Sequence, residues 1–244
     1  MPMDKFKKLI DEAATIPQIT DICLTGLSES LLDPKLDERL EYCKEKVPDK
    51  PTTVFTNGTY LTPIRFERLK AAGLGCVSIS LNASSAEGRK EIMDLDDWDD
   101  VVQNIDYAVH HDEGIAVRVT TVVNKDKMTS QQAYALVALW GHWRDGKGGH
   151  VEVVYEGNWG GDSRTVRSFL PNETCGRAIG QIYVTYDGIS TACCFDPLGR
   201  MNFGNVFEKG IRGVYNTDEY VKFRVAHDEN RADEYEICKN CTRI

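Results

Sequence analysis

The sequence predicts an α/β protein of about five βα units around a parallel sheet, followed by a small cysteine-bearing extension. Three observations lead there. Short β-branched runs alternate with helical periodicity from Ile19 to Tyr155, which is the pattern of successive βα units. A stretch rich in Gly, Asn, Asp and Ser, Gly157 to Pro171, then breaks that alternation. Beyond it stand Cys175, Cys193, Cys238 and Cys241, with Gly188 five positions before the second of them. Thiolates at such separations suit the sulfur cage that an iron-sulfur cluster or a structural zinc requires.

Each element has its own signal. Met1 to Ile10 reads as a charged amphipathic helix. Ile19 to Leu24 reads as the first strand, and after the turn Thr25 to Ser30 a helix should start near Pro34, with Leu36, Leu40 and Tyr42 or Cys43 on one face. Thr52 to Phe55 is the second strand. Thr62 and Pro63 then form an N-cap and first helical position, opening a helix that Gly73 ends. Cys76 to Leu81 is the third strand, and Trp98 to His111 is a helix carrying Val101, Ile105 and Ala108 inward. Ile115 to Val123 is the fourth strand, Gln131 to Trp143 another helix and Val151 to Tyr155 the fifth strand. In the extension, Gln181 to Tyr186 and Ile189 to Cys193 flank Asp187-Gly188, a strong hairpin signal. The domain boundary falls near residues 160 to 172, which divides the chain into a core at 1–160 and an extension at 172–244.

Composition excludes several classes. With 244 residues the chain can bury a substantial core, and its formal charge of -9 offers no basic stripe for nucleic acid or an anionic membrane. No apolar run approaches the roughly 20 residues needed to span a bilayer. Without an export signal the eight cysteines read as reduced thiols, and the expected location is the cytoplasm.

In a parallel α/β sheet or barrel, ligands sit at the carboxyl ends of the strands. Here those turns are polar: Thr25 to Glu29, Thr56 to Thr59, Ser80 to Asn82, Thr120 to Asn124 and Glu156 to Trp159. Together they could line one pocket, whereas any one alone is as well read as a solvated turn. Cys23, Cys43 and Cys76 fall within predicted elements and read as small buried hydrophobes. Adjacent His110 and His111 fit a helix end, and Asp94 to Asp100 reads as a solvated loop or helix N-terminus. His142 and His150 show no metal-pairing spacing. Asp187 is best placed as a turn residue.

The order of these motifs resembles the radical S-adenosylmethionine (SAM) superfamily. Leu24 to Pro34, Thr56 to Thr62 and Ala72 to Asn82 look like its core, and Cys175, Gly188, Cys193 and Cys238-x-x-Cys241 look like its SPASM or shorter twitch extension. The resemblance implies a partial (βα) barrel, SAM as cofactor and an auxiliary 4Fe-4S cluster on Cys175, Cys193, Cys238 and Cys241. Zinc is the alternative metal, and Cys194 is the alternative to Cys193. It further implies that Ser28 and Glu29, on the family's Gly-Gly-Glu-Pro turn, meet the SAM amino group, although only the glutamate of that turn is retained. Thr56 and Asn57 follow on the next strand end. Ser80 corresponds to the hydroxyl that reaches the ribose, Asn82 stands where an aspartate or asparagine is common, and Arg118 falls where the family often places an arginine near the SAM carboxylate. Trp159-Gly160-Gly161 stands where a substrate or SAM wall would be.

One departure is large. The family's Cys-x3-Cys-x2-Cys, whose thiolates hold the SAM-cleaving cluster, is absent from these 244 residues. The expectation is an amino-truncated copy lacking the first barrel strand, inactive alone, in which Ile19 to Leu24 becomes an edge strand open to a partner. Two functions follow from the resemblance. One is a radical enzyme acting on a peptide, protein or small molecule with a reductant such as ferredoxin or flavodoxin. The other is a catalytically inactive iron-sulfur or zinc module.

Overall fold

The computed structural model describes residues 1–26, 28–123, 135, 138, 149–155, 175–196, 198–239 and 241, the side chains of 122, 123 and 149–155 excepted. The expected helix Gln131 to Trp143, the loop Gly157 to Pro171, Trp159-Gly160-Gly161 and His142 lie outside that description, apart from helical backbone at 135 and 138. The chain divides into two compact units, residues 16–156 and residues 1–15 with 157–244.

The first unit is a five-stranded parallel sheet in the order β1 (Ile22–Leu24), β2 (Thr52–Thr56), β3 (Cys76–Ser80), β4 (Ala116–Val123), β5 (Gly149–Tyr155). Between strands run α2 (Leu36–Lys46), α3 (Pro63–Ala72), α4 (Ala86–Met93) and α5 (Trp98–His110); α1 (Met3–Ala14) belongs to the other unit. Sequential strands paired in parallel are the expected (βα) arrangement. Register explains the core. Val54 pairs with Val77 and Val77 with Val117, while Ile79 pairs with Val119, so these side chains share one face. That face packs under helices with Leu40, Leu61, Phe66, Leu69, Val101 and Ile105, all fully buried. Each such side chain contributes about 1.5–3 kcal/mol on leaving water.

Helix α3 begins and ends where the sequence indicates. Thr62 Oγ1 accepts from the Arg65 amide at 3.3 Å, Pro63 takes the first turn, and Gly73 closes it at φ 99°. Three expectations need correction. The first strand covers only Ile22–Leu24, because Ile19 bonds back to Ile16 in a turn and the ladder starts where the Ile22 amide meets Pro51 O. Helix α4 was not foreseen: its fully buried inward residue is Arg89, so no apolar stripe marks it. Cys23 is exposed rather than buried, since it lies on the end strand and on the face away from the helices, whereas Cys43 and Cys76 are buried as expected.

In the second unit, α1 buries Phe6, Ile10 and Ala13 at helical spacing and packs on α7 (Val206–Tyr215). Helix α7 breaks at Gly210, φ 73°, and the Glu12 carboxylate accepts the amides of Ile211 at 2.8 Å and Arg212 at 3.1 Å that the break exposes. The unit also contains α6 (Gly176–Gly180), the hairpin β6 (Tyr183–Val184) and β7 (Ser190–Thr191), α8 (Asp218–Asp228) and the short α9 (Glu236–Lys239). The hairpin ladder is shorter than its sequence runs, but Asp187-Gly188 forms its turn, with Thr185 Oγ1 on Asp187 Oδ1. Gly188 holds φ 91°, and a Cβ there would lie 2.5 Å from the Phe207 ring. Gly188→Ala should therefore destabilise this unit by at least about 1–2 kcal/mol; an unchanged thermal melt would contradict that.

Candidate cofactor and metal sites

At the carboxyl ends of β1 and β2 the polar residues are organised around Glu29. Its carboxylate accepts from Thr56 Oγ1 at 2.6 Å, from the Asn57 amide at 2.7 Å and from the Leu31 amide at 3.0 Å. Thr56 is committed to this support: its side chain is on the helix-packed face, and its oxygen also accepts from the Gly58 amide at 3.0 Å. Asn57 Oδ1 accepts from the Thr59 amide at 2.9 Å. Ser28, by contrast, is exposed.

The opposite face of the sheet carries polar residues, of which Ser78 is fully buried and Ser80, Arg118 and Thr120 are half-buried. Ser78 and Ser80 on β3 pair in register with Arg118 and Thr120 on β4, so the four share that face beside Phe55. Arg118 is half-buried, and Ser78 Oγ is 3.4 Å from Thr120 Oγ1. Asn82 sits just past β3 with φ 56°. The structure thus gathers Glu29, Thr56 and Asn57 at one strand-end corner, and Ser80 and Arg118 on the sheet face away from the helices.

Behind the strand ends lies a network the sequence reading missed. The Arg89 guanidinium, fully buried, donates to Asp97 Oδ1 at 2.5 Å, to Asn57 O at 3.0 Å and to Leu81 O at 3.3 Å. Thr59 Oγ1 also donates to Asp97, and Asn104 Nδ2 donates to Gly58 O at 3.0 Å. Bonds from Arg89, the first cause, hold the Asp97 carboxyl below its ordinary range. Asp97 is therefore an ion-pair partner, while Asp99 and Asp100 do occupy the first turn of α5. The missed signal was Asn104 amid the apolar stripe of α5.

In the second unit, Cys175, Cys193, Cys238 and Cys241 line one cavity with Arg177, Phe195, Phe223, His227 and Ile237. Cys175 precedes α6, Cys193 follows β7, Cys238 lies in α9 and Cys241 just after it, so three separate segments deliver the thiols. Cys194 is not among the lining residues. Burial pushes the Cys193 thiol up to about 12, and the Cys238 thiol also well above its ordinary value, with neighbouring cysteines adding to both. Buried thiols that raise one another this way become thiolates only when a cation joins them. Among the described residues no three Cys, His, Asp or Glu side chains converge where a lone ion would sit. Zinc needs its sulfurs within about 2.3 Å of one centre, whereas a cluster takes one thiolate at each iron corner. Four thiols around one cavity are the number a cubane takes, one at each iron corner.

Comparison with known proteins decides the family. A model of the radical SAM superfamily matches residues 1–127, more than half of the chain, and a model of an iron-sulfur cluster-binding domain matches residues 175–242. The chain belongs to the radical SAM superfamily.

This radical SAM chain is 20% identical over 239 residues to an S-adenosyl-L-methionine-dependent 2-deoxy-scyllo-inosamine dehydrogenase of Niallia circulans, covering 98% of the chain and 79% of the relative. Its fold is similar to the crystal structure of BtrN in complex with AdoMet and 2-DOIA, with TM-score 0.67, 18% identity, and coverage of 100% of this chain and 81% of that one. It also resembles anSMEcpe with bound AdoMet, at TM-score 0.68 and 14% identity, covering 100% of this chain and 77% of that one. SAM and iron-sulfur clusters are accordingly its cofactors. Among the described residues no helix is long and apolar enough to cross a membrane.

Proposed function

We propose that the chain is a radical SAM enzyme acting on a small hydroxylated molecule in the cytoplasm, with an auxiliary 4Fe-4S cluster on Cys175, Cys193, Cys238 and Cys241. The observation that carries this reading is the meeting of thiols from three segments in one cavity. The relative that pairs with nearly the whole chain is named for oxidising an inosamine, which favours a small substrate over a peptide. In this reading residues 1–160 serve SAM and residues 172–244 the auxiliary cluster.

SAM with a reducing cluster supplies hydrogen-atom abstraction from substrate. The chain's own residues bind and orient it. Glu29, fixed by Thr56 and the Leu31 and Asn57 amides, has one acceptor site left, on Oε2, for the SAM ammonium. Ser80 and Asn82 take the ribose hydroxyls, and the Arg118 fork takes the carboxylate. Ser28, exposed beside Glu29, adds a hydroxyl at the mouth.

A second reading rests on a specific observation: the 244 residues contain no Cys-x3-Cys-x2-Cys. On that reading the chain is an iron-sulfur module without SAM-cleaving chemistry. The two separate in one assay, in which loaded protein is mixed with SAM and a low-potential reductant and 5′-deoxyadenosine is measured. The expected result is none from the 244 residues and steady release from a version that supplies the missing triplet upstream. A triplet-bearing version that loads iron and sulfide yet releases no 5′-deoxyadenosine would overturn the enzymatic reading. Glu29→Gln in the active version should raise the SAM concentration needed for half-maximal release several-fold, since one charge-assisted contact of about 1.5–3 kcal/mol is lost.

A further inference from the structure

The thiol cavity holds one further metal-binding atom. His227 lines it from α8 and is 2% exposed. Its Nδ1 lies 2.8 Å from Phe223 O, and a carbonyl only accepts, so Nδ1 carries the proton. In the neutral ring the lone pair is then on Nε2. Of the buried side-chain polar atoms with no hydrogen-bond partner among the described residues, Nε2 of His227 is the one whose residue lines this cavity. The ring is also held in place, at 4.2 Å from the Phe223 ring and stacked on Tyr235 at 6.1 Å. Tyr235 O accepts from the Cys238 amide at 2.9 Å, so the ring stacked near His227 belongs to the segment that carries Cys238.

A buried imidazole with Nδ1–H on a backbone carbonyl and Nε2 free is the arrangement that presents histidine to a metal. Cluster sulfides and thiolates would leave that lone pair unsatisfied, because they too are acceptors. Iron satisfies it.

Resting on the cluster reading above, we infer that His227 is a reserve nitrogen donor to the auxiliary cluster, taking the iron at the position of Cys241 when that thiolate is absent. The site thus contains five potential ligands for four irons. Exchange of thiolate for imidazole there would leave the cluster less negative and move its reduction potential upward, as histidine does in place of cysteine in other iron-sulfur centres.

The test compares the chain with Cys241→Ala, His227→Phe and the double variant, each reconstituted anaerobically with iron and sulfide. Phenylalanine keeps the ring packing on Phe223 and Tyr235, and far-ultraviolet circular dichroism confirms that each variant is folded. The expected result is that C241A retains most of its iron and sulfide, and that its reduced form shows nitrogen hyperfine coupling that changes on 15N-histidine labelling. Its potential should lie above that of the parent, and the double variant should lose the cluster. Equal loss of cluster from C241A and from the double variant would overturn the inference, as would a C241A cluster without nitrogen coupling. Failure of the parent chain itself to bind iron and sulfide would instead sink the underlying cluster reading.

Discussion

Replacing Cys238 by Ala should abolish the brown colour and the charge-transfer absorption of anaerobically reconstituted protein, and the C-terminal unit should lose its cooperative melt. Cys238 is buried within α9, in the wall of the cavity that the other three thiols share. In the proposed assignment its removal takes away one of four cluster corners, and the reserve donor His227 is assigned to the position of Cys241 rather than to this one. The effect on stability is large because a cluster binds the folded cavity and not the unfolded chain, so its binding free energy is folding free energy. For structural zinc that linkage reaches on the order of 10 kcal/mol. The aromatic wall of Phe203, Tyr220, Phe223 and Tyr235 gives the unit a packed remainder, with the Phe203 and Tyr220 rings 4.1 Å apart and those of Phe223 and Tyr235 4.9 Å apart. Residual secondary structure is therefore expected after bleaching. A C238A protein with unaltered colour and melting would contradict the assignment of this thiol.

The second large effect lies in the sheet unit. Arg89→Met should lower its stability by about 3–5 kcal/mol, the cost of breaking a buried pair. At this size that corresponds to a fall in melting temperature on the order of 10 °C. The guanidinium is fully buried, and without it Asp97, Asn57 O and Leu81 O lose their donor together. Because those carbonyls belong to the strand-end turns that carry Asn57 and Asn82, the same substitution should loosen the proposed SAM-binding residues. The pH dependence has a definite sign. Asp97 has its carboxyl pKa depressed below the ordinary 3.8 on folding, chiefly by bonds from Arg89. Its stabilisation is thus fully present above that value and is lost as the pH falls below it. In R89M the acid limb should flatten, and R89M/D97N should recover part of the loss at neutral pH. Denaturant melts at pH 7 and pH 3 check both points; an R89M melt identical to the parent would contradict them.

How much of this was legible in the sequence depended on what each residue faces. The strands β2, β3 and β4 were readable because Val54, Val77, Ile79, Val117 and Val119 are apolar on the face that helices cover. Helix α3 announced itself through Thr62, Pro63 and Gly73, whose roles are local. Helix α4 did not, because its buried residue is a cation held by groups distant in sequence, among them Asn57 at a separation of 32 residues. Cys23 misled for a related reason: a cysteine in a short apolar run reads as interior, yet its exposure depends on which strand ends the sheet. The thiol set was visible as spacing, and the cavity adds that Cys193 rather than Cys194 lines it. His227 carried no motif. Its interest arises from burial and from an Nε2 without a partner among the described residues, which only three dimensions reveal.

Metal and sulfide analysis of the anaerobically reconstituted chain, read together with its Mössbauer spectrum, tests the central claim most directly. The account predicts about four irons and four acid-labile sulfides per chain in a single cubane species. A colourless protein that instead holds one tight zinc on the same four thiols would contradict it.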